Sequence, residues 1–279
     1  MPKAKESKTV VGEAGPGGVS IVDMPPSFDF LRSIQVWQGK PKMGKTSTAA
    51  ALGPAAKKLG LDGIDPFFML FEPGSGGVNI KGTSEKCCSK RGCPDCEGVG
   101  TKRKILSTLD EIDEWFKWVA ASKYNPIVID TGDAMYQAVA DSVCVRLGIP
   151  NPTASDHGIA WVNIFDEFRG SVGTLTGAGK SLIFIMHVYM QEKRVTGGTI
   201  NTATFNISGK SRQFIASQAN QIFHFDVVPN GKSDKFVIRT KPSAGIEAGD
   251  HWGICPEEID RGDSPEEAAT ALLKCFYEV

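Results

Sequence analysis

Eight consecutive residues, Gly39-Lys40-Pro41-Lys42-Met43-Gly44-Lys45-Thr46, carry the spacing G-x-x-x-x-G-K-[ST]. Its glycines free the backbone to wrap an anion with N–H groups, and a helix starting beside it aims its positive end at the same place. In such a pattern the lysine reaches the β- and γ-phosphates of a nucleoside triphosphate, and the final hydroxyl binds magnesium. Lys45 and Thr46 stand at those positions, with Ser47 next in line. A chance glycine–lysine turn is the competing reading. It is disfavoured because the apolar run Ile34 to Trp37 leads in, and the alanine-rich helix start Thr46-Ser47-Thr48-Ala49-Ala50-Ala51 leads out.

Three further residues sit just after apolar runs. Asp130 follows Ile127-Val128-Ile129, and a carboxylate at the tip of a core strand is costly unless something cationic meets it. Next to a phosphate loop that cation is Mg²⁺; a strand-ending aspartate capping the next turn is the plainer alternative. Glu72 ends the run Phe67 to Phe71, where it is expected to polarise an attacking water as general base, or else to serve as a turn residue. His187 ends Leu182 to Met186. It is a candidate to hydrogen-bond the γ-phosphate or its water and report hydrolysis to the segment that follows; a satisfied strand-end histidine is the alternative.

A separate constellation is Cys87, Cys88, Cys93 and Cys96, four of the chain's seven cysteines. Cys93 to Cys96 is C-x-x-C followed by glycines, and CPDCEGVG looks like the zinc knuckles of DnaJ-type cysteine-rich domains. The expected role is structural zinc held by four thiolates. Adjacent Cys87 and Cys88 are awkward ligands for one ion, so a redox dithiol and unligated thiols stay open. Residues 81–104 hold seven Lys/Arg against three acids, a net of +4, which makes this insertion a small basic module.

Positioning these residues requires strands alternating with helices. Strands are predicted at Ile34 to Trp37, Phe67 to Phe71, Ile127 to Ile129, Leu182 to Met186, Ile222 to Phe225 and Phe236 to Ile238. Helices are predicted at Thr46 to Leu59, Leu109 to Ala121, Met135 to Leu147 and Ile159 to Leu175. A last one opens at Ser264-Pro265-Glu266-Glu267, a capping box with proline at N1, and runs to about Phe276. Residues 1–26 read as a mostly disordered tail with a short strand at Val19 to Val22, and 27–279 as one domain. The alternation implies an α/β fold with a mainly parallel sheet covered on both faces, binding ligands at the carboxyl ends of its strands.

Composition sets limits. Hydrophobic residues are 41% and charged residues 23% of the 279, ordinary for a globular protein. A net charge of −1 excludes a global basic field, so any nucleic-acid contact must come from a local patch or from aligned subunits. Apolar runs of about five residues fall far short of a membrane span. With an odd cysteine count and one tight cluster, the chain is expected in a reducing cytoplasm.

With these residues placed, the chain resembles the RecA-like ATPases, and most of all the bacteriophage single-strand-annealing and recombination ATPases of that superfamily. The resemblance spans roughly residues 28–250 and rests on VWQGKPKMGKTSTAAAL, NPIVIDTGDAMY and WVNIFDEFRGSVGTLTGAGKSLIFIMH. It implies hydrolysis of Mg-ATP coupled to single-stranded DNA binding and strand annealing or exchange. It also implies a homo-oligomer (filament or ring) and, in a phage setting, the host cytoplasm and a single-strand-binding protein as partner. The magnesium aspartate falls on Asp130, the catalytic glutamate on Glu72 and the switch between ATP and DNA on His187. Family DNA loops fall on Gly148 to Gly158 and Tyr189 to Gly209. The second is polar and lacks strand or helix periodicity, and Gln191, Lys193 and Arg194 within it, with Lys210 and Arg212 just beyond, are the candidate phosphate contacts; a solvated loop is the alternative. The resemblance gives Arg239 and Lys241 a reach to the γ-phosphate of a neighbouring subunit, where a cross-strand charge pair is the local reading. A P-loop motor or helicase-like ATPase driven by a partner, and a non-hydrolysing nucleotide-switched binder, are the competing functions.

Overall fold

Each predicted apolar run becomes a strand because β-branched and aromatic side chains alternate between two helical layers. The computed structural model describes residues 11–14, 20–22, 29–73, 78–86, 101–195, 198–230, 233–243 and 245–277. In the N-terminal stretch, β1 (Val11–Ala14) and β2 (Ser20–Val22) form a separate antiparallel pair. β2 falls on the short strand expected at Val19 to Val22, and β1 is an addition to that expectation.

The domain proper begins with β3 (Ile34–Gly39), α1 (Lys45–Lys58) and β4 (Phe67–Leu70). A ribbon of β5 (Ser84–Lys86) and β6 (Thr101–Arg103) follows. Then come α2 (Leu109–Ala121), β7 (Ile127–Asp130), α3 (Gly132–Leu147) and α4 (Ile159–Gly177). Next are β8 (Leu182–Val195), β9 (Gly198–Phe205) and α5 (Gly209–Gln218). The chain continues through β10 (Gln221–Asn230), β11 (Ser233–Arg239), β12 (Gly249–Asp250), β13 (Glu258–Asp260) and α6 (Pro265–Phe276).

One sheet runs β13-β11-β10-β3-β8-β7-β4, with β12 on β10 and β9 on β8. From β10 to β4 every neighbouring pair is parallel; β11, β12 and β13 add antiparallel. Side-chain alternation splits the core. Val36, Ile127, Ile129 and Phe184 face α2 to α5, while Trp37, Val128, Ile183 and Ile185 face α1 and α6. The expected α/β architecture with a mainly parallel sheet is therefore present. Outer strand β4 is shielded by both legs of the insertion, since Phe68 N–H donates to Lys81 O (2.8 Å) and Leu106 N–H to Leu70 O (2.8 Å), leaving little free edge. Cys87, Cys88, Cys93 and Cys96 lie outside the described residues.

Two departures bear on function. The segment after His187, read as an aperiodic loop, is an antiparallel hairpin in which Val188 pairs with Phe205 and Val195 with Gly198. Its threonines are β-branched and strand-competent but polar, so they hide the alternation that a hydrophobic pattern reveals. Helix α3 begins three residues ahead of Met135, because the Thr131 hydroxyl accepts from Ala134 N–H and caps it. That earlier start brings Asp133 into the first turn.

Candidate nucleotide site

The phosphate loop is built where β3 meets α1. Gly39 is required by close approach: a Cβ there would lie 2.5 Å from Phe225 O, with φ at +153°. Gly44, at φ +80°, is the residue from which α1 starts, and it offers no side-chain cap; the first turn carries no acid. The orphan N–H groups of that turn are thus left for an anion. Lys45 Nζ donates to Gly39 O and Lys40 O, both at 2.9 Å, folding back over the loop. Burial pulls its ammonium down to about 8 against the opposing fields of Asp133, Asp130 and Glu72.

Asp130 ends β7, flanked in register by Leu70 on β4 and Ile185 on β8. Thr46 Oγ1 donates to Asp130 Oδ1 at 3.4 Å, so the hydroxyl and the carboxylate expected to share magnesium do converge. Burial, and next the charge of Glu72, push Asp130 up to about 6. A carboxylate buried at that cost is suited to a cationic partner. Among the described residues no group of three or more His, Cys, Asp or Glu is arranged to hold a metal alone. Magnesium in triphosphate sites needs only one or two protein oxygens, the rest coming from phosphates and water, so the Thr46–Asp130 pair fits it.

Across from this pair, His187 stands directly beside Gly39 in the β3–β8 register. Its backbone N–H donates to Asp133 Oδ1 and its Nδ1 lies 3.3 Å from Asp133 Oδ2, also the N···O distance of the first bond. Nε2 is 3.9 Å from Glu72 Oε1, and the other Glu72 oxygen accepts from Thr131 Oγ1 at 3.4 Å. The hydrogen bond to Asp133 raises the His187 pKa against its burial. Burial would raise Asp133, but the bond and charge of His187 outweigh it and leave that carboxyl lowered. Glu72, His187 and Asp133 thus form a linked acid–base set at the strand tips, with Lys45 and Asp130 alongside. Asp133 and Thr131 are participants that sequence reasoning misses, because the apolar pattern starts this helix at Met135 and leaves both residues ahead of it.

Other candidates are placed differently. Arg239 Nε sits 3.0 Å from Asp226 Oδ2 with Glu258 also near, and Lys241 Nζ is 3.2 Å from Glu257 Oε1, so both make the local charge pairs. Arg212 Nη1 donates to Thr204 Oγ1 at 3.0 Å and ties α5 to β9. Gln191 and Lys210 are exposed, and the backbone of Lys193 and Arg194 lies in β8. Residues 148–158 form exposed short turns without lysine or arginine.

In the sheet, β8 intervenes between the phosphate-loop strand β3 and the Asp130 strand β7, with the Glu72 strand β4 beyond. That interposed strand, here the one that ends its buried run at His187, is the RecA-like strand order. No helix among the described residues is long and apolar enough to cross a membrane. A KaiC-like protein of known crystal structure from the hyperthermophilic archaeon Pyrococcus horikoshii OT3 is similar at 13% identity, over 84% of this chain and 87% of that one, with a TM-score of 0.43. No curated protein matches. The AAA domain family matches residues 33–252, a span that holds the phosphate loop, Glu72, Asp130 and His187 together. A P-loop ATPase with a RecA-like strand order, the chain belongs to the AAA domain family.

Proposed function

We propose that this ATPase binds single-stranded DNA as an oligomer and promotes strand annealing or exchange, with hydrolysis tuned by DNA. The observation that carries this reading is the continuity of β8. A single strand holds His187 beside Gly39 and then runs outward into the β8–β9 hairpin, so nucleotide state and hairpin position share one rigid element. The hairpin exposes Tyr189 and Met190. A cavity of about 290 Å³ between α3, α4 and the start of α5 is lined by Trp161, Val162, Phe165, Tyr136 and Lys210, and an aromatic wall beside a cation suits a stacked base and its phosphate.

Within the site, Lys45 and the first N–H groups of α1 hold the phosphates, and Thr46 and Asp130 hold magnesium. The metal, when bound, neutralises charge on the β- and γ-phosphate oxygens. Glu72, aligned by Thr131 and His187, accepts the proton of the attacking water. His187 reads the γ-phosphate and transmits through β8. Structural zinc on Cys87, Cys88, Cys93 and Cys96 belongs to the same proposal and is checked by the zinc content of freshly purified protein.

ATP turnover with and without oligo(dT), in low and moderate salt, tests the reading. Stimulation that falls with salt is expected. Intact basal turnover without any stimulation would overturn the DNA role in favour of a partner-driven motor, and negligible turnover throughout would favour a nucleotide-switched binder.

A further inference from the structure

The phosphate loop has a brace that none of the site residues above supplies. Arg261, between β13 and α6, lies beyond residues 33–252 of the family match and 218 residues from the loop it touches. Its Nη1 donates to Met43 O at 2.9 Å, and its guanidinium carbon sits 4.2 Å from the centroid of the Phe236 ring. The fit is close: a Cβ on Gly44 would come within 2.4 Å of the same Nη1. Gly44 is required for its left-handed φ, and its missing Cβ leaves the space that the guanidinium occupies.

The turn that delivers Arg261 is fixed at each end. Arg261 N–H donates to Phe236 O (3.1 Å) and Gly262 N–H to Asp260 Oδ1 (2.9 Å). Glu267 N–H donates to the N-cap Ser264 Oγ at 3.1 Å, and the Glu267 carboxylate reaches back one residue further, accepting from Asp263 N–H at 3.0 Å. Arg261 Nε is buried with no hydrogen-bond partner among the described residues, a cost that the Phe236 face offsets through cation–π attraction. A side chain kept on those terms is held for its place.

The bonded carbonyl belongs to the Met43–Gly44 peptide, whose N–H is Gly44's own, one of the donors that a phosphate loop turns toward its anion. A cation on the carbonyl polarises that peptide and strengthens the donor at its other end. We propose that Arg261 is a positioning residue of the nucleotide site: it fixes and polarises the Met43–Gly44 peptide and so makes phosphate affinity depend on the β13–α6 unit. This rests on the P-loop assignment and is independent of the DNA reading.

The test is titration with fluorescent N-methylanthraniloyl ATP and ADP on the full chain, comparing parent, R261A, R261K, F236L and K45A, each checked for folding by circular dichroism. Since the braced peptide serves the phosphates common to both nucleotides, R261A should weaken ATP and ADP by the same factor, on the order of tenfold. R261K keeps the charge without the planar stack and should fall between; F236L, which keeps the arginine, should show a smaller loss of the same kind. KM should rise with kcat held. Parental affinity in folded R261A overturns the inference, as does a loss confined to ATP, which would make Arg261 a γ-phosphate contact. If R261A does not fold, parental affinity in both R261K and F236L overturns it. K45A separates the two failures: loss there with none in R261A sinks the brace alone, whereas parental binding by K45A sinks the P-loop assignment.

Discussion

Chemistry at the residue scale turns on charges held close together without water. Lys45 is where removal should be most severe, because its ammonium is buried against the loop carbonyls it would share with phosphates. Lys45→Ala is expected to lower ATP turnover by about a hundredfold or more, and near-parental turnover would refute the assignment. Glu72→Gln keeps the shape and the Thr131 contact while removing the base; a loss of about 10²–10⁴ in kcat with little change in KM is expected. A matched rise in KM would instead mean that Glu72 binds substrate. For His187 the sign follows from its partner. Asp133 raises its pKa above the ordinary histidine value, so its contribution to stability is fully present below that ordinary value. It is lost as pH rises through the raised one. In Asp133→Asn the desolvation remains while the charge is gone, and the His187 ring should titrate lower than in the parent, as read by NMR of its ring C–H protons. An unshifted midpoint would show that Asp133 does not hold the proton.

Elements decide which of these residues meet. The strand tips were legible because Ile127-Val128-Ile129 and Leu182 to Met186 are buried on both faces and so read as unbroken apolar runs. Asp130 and His187 followed directly from where those runs stop. The β8–β9 hairpin was not legible: Thr199, Thr202 and Thr204 supply strand propensity without hydrophobicity, and among the described residues the buried apolar positions of the hairpin are Ala203 and Phe205, with Thr204 buried between them. Asp133 depended on a cap that moves a helix start, and Arg261 on a contact between opposite ends of the chain; neither leaves a local signal. The hairpin itself makes a prediction. Met190 and Ala203 pair directly, so residues 191–202 can be replaced by Asn-Gly in a two-residue turn that matches the strand twist. Such a chain should still bind fluorescent ATP and should lose its response to oligo(dT). Retained stimulation would move the DNA contact off the hairpin, and lost ATP binding would make the hairpin part of the nucleotide site.

For the whole molecule, 31 basic residues stand against 32 acidic ones, so long-range attraction cannot gather DNA and the proposed contact has to be local. That makes salt dependence a count of the phosphates engaged. Single-stranded DNA releases counterions with a slope of about −0.7 per neutralised phosphate in log affinity against log salt. The candidate cations of one protomer are Lys193, Arg194, Lys210 and Arg212, and Arg212 is already tied to Thr204. If all four reach phosphates the slope per protomer is about −3, and about −2 if Arg212 stays on β9. Lys210 lines the aromatic cavity, so Lys210→Ala should reduce the slope by about 0.7 and weaken binding to any sequence alike. Trp161→Ala, in contrast, should weaken binding while leaving the slope unchanged, because stacking on a base displaces no counterion. A parental slope near zero would mean that this surface does not hold DNA at all. A slope unaffected by Lys210→Ala would place the strand elsewhere on the molecule.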